Sequence, residues 1–230
     1  MPQLYHHPLC PHSRFVRLAL GEYGVEVELI EERVHERRQE FLMLDPAGQT
    51  PVLVEDSGLV VPGAAAIAEW LDETLGDRLG DHRLLPPSPV ARVEVRRLTA
   101  WFNEKFFSEV TNWLVTEKVY KRFTATEIGG GAPDMDVLRA ARTNVRYHLR
   151  YISYLESTRR WLAGDRMTYA DLAAAAHLSC VDFLGDAPWD EEEPAKSWYQ
   201  RLKSRPSFRP LLADRVPGVA INPNYAEVDF

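Results

Sequence analysis

Two kinds of hydrophobic spacing divide the chain: short apolar runs alternate with helical patterns at the start, and only helical spacing follows. Residues 3–6 form a short β-like run entering a loop that holds Pro8 and Pro11. From Ser13 onward Val16, Ala19, Leu20 and Tyr23 recur at helical spacing, and Gly24 is placed to stop the helix. Val25, Val27 and Leu29 alternate with Glu26, Glu28 and Ile30, which predicts a strand with one mostly polar face. Residues 35–44 read as a charged helix ended by Asp45-Pro46-Ala47-Gly48. Val52-Leu53-Val54 and Leu59-Val60-Val61 flank Glu55-Asp56-Ser57-Gly58, a hairpin signal, and 64–75 is an Ala-rich helix.

Leu84-Leu85-Pro86-Pro87-Ser88-Pro89 is dense in proline and marks a hinge. The expected division is a first domain over 1–80, a linker over 81–87, a helical domain over 88–215 and a tail over 216–230. A long helix is predicted over 90–123, then a loop at Gly129-Gly130-Gly131 and a second long helix over 136–161. Thr168-Tyr169-Ala170-Asp171 opens a buried helix. The Thr168 hydroxyl is placed to cap it, and Asp171 to reach back to the Thr168 amide. Leu172, Ala173, Ala176 and Cys180 make a stripe of small apolar residues that lets neighbouring helices approach closely. A shorter helix over 195–203 stops at Ser204-Arg205-Pro206. The element order is βαβ-α-ββα followed by helices alone, an α/β domain joined to an all-α domain.

Composition narrows the function. The 230 residues are 45% hydrophobic and 27% charged, suited to two soluble domains. A net charge of -7 argues against nucleic acid and against an anionic membrane surface. The first residues lack a basic start and an apolar stretch, and the longest small-apolar run is broken by His177 and Ser179, so no membrane insertion is expected. Two cysteines, Cys10 and Cys180, make no disulfide framework and suit a reduced cytoplasm. The histidines show no zinc-ligand spacing, so no metal is expected, and His177 reads as a hydrogen-bonded core residue. Arginines at 139, 142, 146 and 150 form a solvated basic face, while the aromatic mass of 101–110 belongs to core or subunit interface.

Two places carry candidate chemistry. Cys10 stands just ahead of a helix start, where the dipole favours thiolate, and Pro11 suits the first turn. A small residue packed under the first strand is the plainer reading. Ser13 leaves no second thiol, so only monothiol chemistry is open. At the other end Pro223-Asn224-Tyr225-Ala226-Glu227-Val228-Asp229-Phe230 alternates apolar residues with acids. Such a tail either tucks onto its own protein or is offered to a partner.

Pro8-Leu9-Cys10-Pro11-His12-Ser13, Gly48-Gln49-Thr50-Pro51 and Val60-Val61-Pro62-Gly63-Ala64-Ala65-Ala66-Ile67 together resemble the glutathione transferase superfamily, with its thioredoxin-like first domain and helical second domain. The resemblance implies a cis Thr50-Pro51 turn, which serves the fold and also presents the residue 50 backbone to a peptide ligand. It implies a glutathione site at Cys10, Ser13, Thr50, Pro51, Gly63 and Ala64, with Gly63 and Ala64 standing where the family carries Glu and Ser. Two lost hydrogen bonds to charged ligand groups, each about 1.5–3 kcal/mol, weaken glutathione roughly a hundredfold, so no bound cofactor is expected. The tail, the aromatic helix and the segment 202–210 resemble transferase-like bacterial cell-division proteins of the FzlA type. That resemblance implies a cytoplasmic, homodimeric, non-catalytic adaptor recruited to the division site, where it binds FtsZ filaments and alters their curvature and bundling. It assigns partner contacts to His35, Tyr225, Glu227, Asp229 and Phe230; at His35 the related proteins carry a tryptophan. The alternative is a glutathione-dependent transferase or thiol transferase using Cys10.

Overall fold

The computed structural model describes residues 1–126 and 129–229. Strand β1 (Gln3–His6) pairs in parallel with β2 (Glu28–Glu31) and antiparallel with β3 (Val52–Val54), and β4 (Val60–Pro62) closes the order β2-β1-β3-β4. Leu4, level with Leu29 and Leu53, is fully buried and joins Phe15 of helix α1 (Pro11–Tyr23) and Ile67 of α3 (Ala64–Leu75) in the core. Gly24 ends α1 at φ 65°, a left-handed conformation that its missing Cβ permits, and its amide returns to the Gly21 and Leu20 carbonyls.

Two local expectations shift. The second strand begins at Glu28, because Val25 is held to the Leu20 carbonyl (2.9 Å) as part of the helix stop. The expected helix over 35–44 is broken into a single turn at Val34–Glu36 and a short α2 (Gln39–Leu44). Arg37 between them takes φ 46°, and Arg38 turns back onto the buried carboxylate of Glu32 (Nε to Oε2 3.2 Å). A helix through this segment would carry Arg38 away from Glu32.

The second domain opens with one continuous helical run over 89–123 (α4), whose turns widen to i→i+5 bonding over Trp101–Thr111 and Thr116–Tyr120. Phe102, Phe106 and Val110, one turn apart, are all fully buried. Helices α5 (Met135–Thr158), α6 (Tyr169–Phe183), α7 (Glu193–Lys203) and the short α8 (Arg209–Leu212) follow. The basic face of α5 is neutralised within the chain: Arg139 pairs with Asp136, Arg142 with Asp186, Arg146 with Glu191 and Arg150 with Glu192.

Helix α6 is buried along its whole length, as its small residues require. Thr168 caps the Ala170 amide (3.3 Å), and Asp171 accepts from the Thr168 amide (2.9 Å), as the sequence predicts. Asp171 also takes the Leu162 amide and the Trp198 indole N–H, both at 3.0 Å, and the Thr168 hydroxyl at 3.1 Å. One carboxylate thus ties the α5–α6 loop, the α6 start and α7 together. The Tyr169 hydroxyl then crosses to the first domain, donating to the Ala68 carbonyl (2.8 Å) and accepting from Tyr23 (2.9 Å). The proline hinge is itself docked: Leu84 and Leu85 are buried, and the Leu84 carbonyl receives the Tyr169 amide (3.2 Å).

Each buried donor left without a partner costs about 1–3 kcal/mol. Asp171→Ala, which strands several at once, is expected to lower the unfolding free energy by about 3 kcal/mol or more in a urea titration. A loss below about 1 kcal/mol would show that the four donors are satisfied without it.

Candidate functional site: a thiol cleft and a docked acidic tail

Cys10 is the N-cap of α1. Its Sγ accepts from the Ser13 amide and lies against the Thr50 carbonyl, each at 3.5 Å. Burial pushes the thiol up, but hydrogen bonding and charge from His12, aided by the Ser13 amide, outweigh it and bring Cys10 down to about 7. His12 is raised against its own burial chiefly by Cys10. Its Nε2 meets the Asn103 carbonyl at 2.9 Å, and its ring packs edge-on to Phe107 with centroids 4.7 Å apart. Cys10, His12, Thr50, Phe107, Val115 and Tyr120 all border a cleft of about 210 Å³ between the two domains.

The positions expected to hold glutathione separate on inspection. Cys10 and Thr50 face the cleft, and the Thr50-Pro51 bond is cis. Ser13 does not face it: its side chain is fully buried, and its Oγ accepts from the His7 amide (3.4 Å). Gly63 caps α3 with no side-chain hydrogen bond, at φ 86° and ψ 141°, and its amide is spent on the Pro51 carbonyl (2.9 Å). Ala64 is buried and apolar. Gly63 and Ala64 themselves therefore bring no side-chain donor or acceptor to the α3 end of the site.

The tail divides at Tyr225. Its ring is buried, against the expectation that it meets a partner, and its hydroxyl accepts from Arg14 Nη1 (2.8 Å) while donating to the Leu211 carbonyl (3.1 Å). Arg14, wholly buried, also reaches Ser179 (2.8 Å), Asp214 (3.3 Å) and the Pro8 carbonyl (2.6 Å). Lys203, paired with Asp182 at 3.1 Å, lies over the Tyr225 ring, 5.5 Å from its centroid. Tyr225 is an anchor. Glu227 and Asp229, past the anchor, are exposed. Phe230 lies outside the described residues. His35 is exposed on the turn before α2 and borders a groove of about 170 Å³ with Arg33, Tyr120, Phe123, Val216 and Pro217. The structure so brings His35 to the base of the tail.

Sequence reasoning missed His12, Arg14 and Lys203. His12 had a signal, a second titratable group two residues past the thiol. Arg14 and Arg17 had a fainter one, two cations one turn apart inside an otherwise apolar helix. Among the described residues no three His, Cys, Asp or Glu side chains converge as a metal site, and no helix is long and apolar enough to cross a membrane.

A thioredoxin-like domain with a cis-proline loop, packed on a helical domain across a thiol cleft, defines a class, and comparison with known proteins agrees. The family model of the glutathione S-transferase N-terminal domain matches residues 4–78, and that of the C-terminal domain residues 130–206. The chain belongs to the glutathione S-transferase family. Within that family it is 47% identical to FtsZ-localized protein A of Caulobacter vibrioides over 230 residues, 99% of this chain and 97% of that protein. The solved structure of FzlA from C. crescentus superposes with a TM-score of 0.92 at 47% identity, covering 100% of this chain and 99% of that one. A crystal structure described as glutathione S-transferase from Sinorhizobium meliloti 1021 gives a TM-score of 0.97 at 54% identity over the full length of both chains.

The missing grip at α3 makes a quantitative prediction. Gly63→Glu with Ala64→Ser restores the two side chains, and glutathione affinity measured by calorimetry is expected to rise by about a hundredfold. The double substitution is also expected to cost about 1–3 kcal/mol of stability, because a side chain at φ 86° is strained. Unchanged affinity would place the deficit elsewhere in the cleft.

Proposed function

We propose that this protein is a homodimeric, non-catalytic adaptor that binds FtsZ filaments and modulates their curvature and bundling during bacterial cell division. One observation carries the reading: the tail is clamped by a buried anchor at Tyr225, and its two acids are held outside, while the small-molecule end of the fold lacks side-chain grip. Ordering the last residues is costly in chain entropy. A frayed end would satisfy a simple enzyme. A docked end presents Glu227 and Asp229 as a preorganised acidic feature, which lowers the entropy lost on binding. The similarity to FtsZ-localized protein A supports FtsZ as the partner.

A second face supports the dimer. Val90 and Val93 of α4 are 82% and 68% exposed, and Tyr147 and Tyr154 of α5 are 55% and 63% exposed. The two helices are tied side by side by Arg97 donating to the Tyr151 hydroxyl (3.0 Å) and by Trp101 packed on Tyr151 with centroids 4.7 Å apart. A broad apolar and aromatic surface of this kind suits a second copy. Two tails on one dimer engage a polymer at two points and gain through effective concentration, which is how crosslinking arises from weak contacts. The adaptor acts in the cytoplasm, at the division site.

Glu227→Lys with Asp229→Lys changes only exposed side chains, so stability is expected to hold within about 0.5 kcal/mol. Co-sedimentation with GTP-assembled FtsZ is expected to weaken tenfold or more; wild-type pelleting would refute the tail as the contact. Val93→Asp is expected to sediment as a monomer in analytical ultracentrifugation and to bind filaments without bundling them. A dimer that persists in this variant would move the interface off the α4–α5 face.

A further inference from the structure

The junction between the domains opens at both ends of α1. The thiol cleft lies at its N-terminal end. A second cavity, of about 510 Å³, borders Glu22 near the other end, roughly 20 Å away along this 13-residue helix. From the first domain the turn-rich segment after α3 (Gly76–His82) adds Leu79 and His82. From the second, the α5–α6 loop adds Arg160, Trp161, Asp165, Arg166 and Met167, and Arg205 follows α7. Junctions between domains are common places for small-molecule sites.

The walls are fixed from both sides. Arg205 grips Glu22 through Nε and Nη2, both at 2.7 Å, and the Ser207 hydroxyl donates to the same carboxylate, so that charge is spent. The Trp161 and Gly164 backbones pair in both directions (2.8 and 3.1 Å), a tight turn that Gly164 permits at φ 149°. The Arg201 guanidinium lies over the Trp161 ring, 4.8 Å from its centroid, and donates to the Arg160 carbonyl (3.1 Å). Donors are left over. The exposed Arg160 side chain has no hydrogen bond or ion pair among the described residues. Arg166, 60% exposed, is tied to the Asp81 carbonyl and carboxylate through Nη1, which leaves Nε and Nη2 open. Against these stands one lining acid without a partner among the described residues, Asp165. Leu79, Met167 and the half-buried Trp161 supply apolar surface beside them.

We propose that this cavity binds a small organic oxyanion that carries an aromatic or apolar body. The forked donors of Arg160 and Arg166 take the oxygens, and Leu79, Trp161 and Met167 cover the body. A bare oxyanion would leave the apolar surface wet, and a neutral aromatic would leave the arginines without an acceptor. Both halves of the ligand are therefore needed. None of these residues belongs to the thiol cleft or to the tail, so the site stands if the filament reading fails.

The test titrates 1-naphthyl phosphate into the full-length chain labelled with 5-fluorotryptophan, with the Trp161 fluorine resonance assigned through Trp161→Phe. That resonance is expected to shift to saturation with a dissociation constant below about 1 mM. The two halves of the probe, 1-naphthol and inorganic phosphate, are each expected to bind at least tenfold more weakly. Arg160→Ala with Arg166→Ala changes exposed side chains, and it is expected to weaken the probe tenfold or more with an unchanged circular dichroism spectrum. Binding that leaves the Trp161 resonance unmoved, naphthol or phosphate binding as tightly as the whole probe, or wild-type affinity in the double variant would overturn the proposal. So would the absence of binding at 1-naphthyl phosphate concentrations of about 10 mM. Should Trp161→Phe not fold, calorimetric affinities of the wild type and the double arginine variant decide, with equal values overturning it.

Discussion

The buried guanidinium of Arg14 is the constraint on which the arrangement rests. Moving an unpaired charge out of water costs several kcal/mol, so the fold is obliged to surround it with acceptors. Those acceptors come from four separate places: Pro8 in the β1–α1 loop, Ser179 on α6, Asp214 after α8 and Tyr225 in the tail. The rings of Phe183 and Tyr225 add their faces at 5.6 and 5.8 Å. Satisfying one cation therefore joins the two domains, sets the loop that ends in Cys10 and pins the last residues. Arg17, one turn on, repeats the device by gripping both oxygens of Asp214 at 2.8 and 2.9 Å.

Around that junction the two ends of the molecule have diverged in use. The first domain keeps the geometry that delivers a thiol and a backbone carbonyl to a cleft, but Gly63 and Ala64 leave its far end without side-chain contacts. The second domain ends in a clamp, with Arg14 on the Tyr225 hydroxyl, Lys203 over its ring, and acids beyond. The same buried charges link the thiol end of the cleft to the docked tail.

The elements were legible where local spacing and burial agree. Residues 64–75 follow one apolar stripe, and the helix falls on Ala64–Leu75; the Thr168–Asp171 box needs only four adjacent residues and was readable for that reason. The turn at Val34–Glu36 was not, because helical spacing there is overruled by a contact between Arg38 and a carboxylate six residues back. Tyr225 is illegible for the same reason. The tail's composition leaves tucking and partner contact both open, and its docking depends on an arginine 211 positions earlier. Cys10 could be placed at a helix start from Pro11 alone, but the orientation of His12 comes from a carbonyl of α4, 91 residues away. Non-local pairing of charged and polar groups is the part that hydrophobic periodicity does not encode.

On the proposed function, the tail binds filaments because it is docked. The direct measurement is co-sedimentation of the full-length Tyr225→Ala variant with GTP-assembled FtsZ filaments, on protein shown by circular dichroism to retain its helices. Glu227 and Asp229 are retained in the sequence, and binding is expected to fall tenfold or more. Filament binding at wild-type strength from an undocked tail would contradict it.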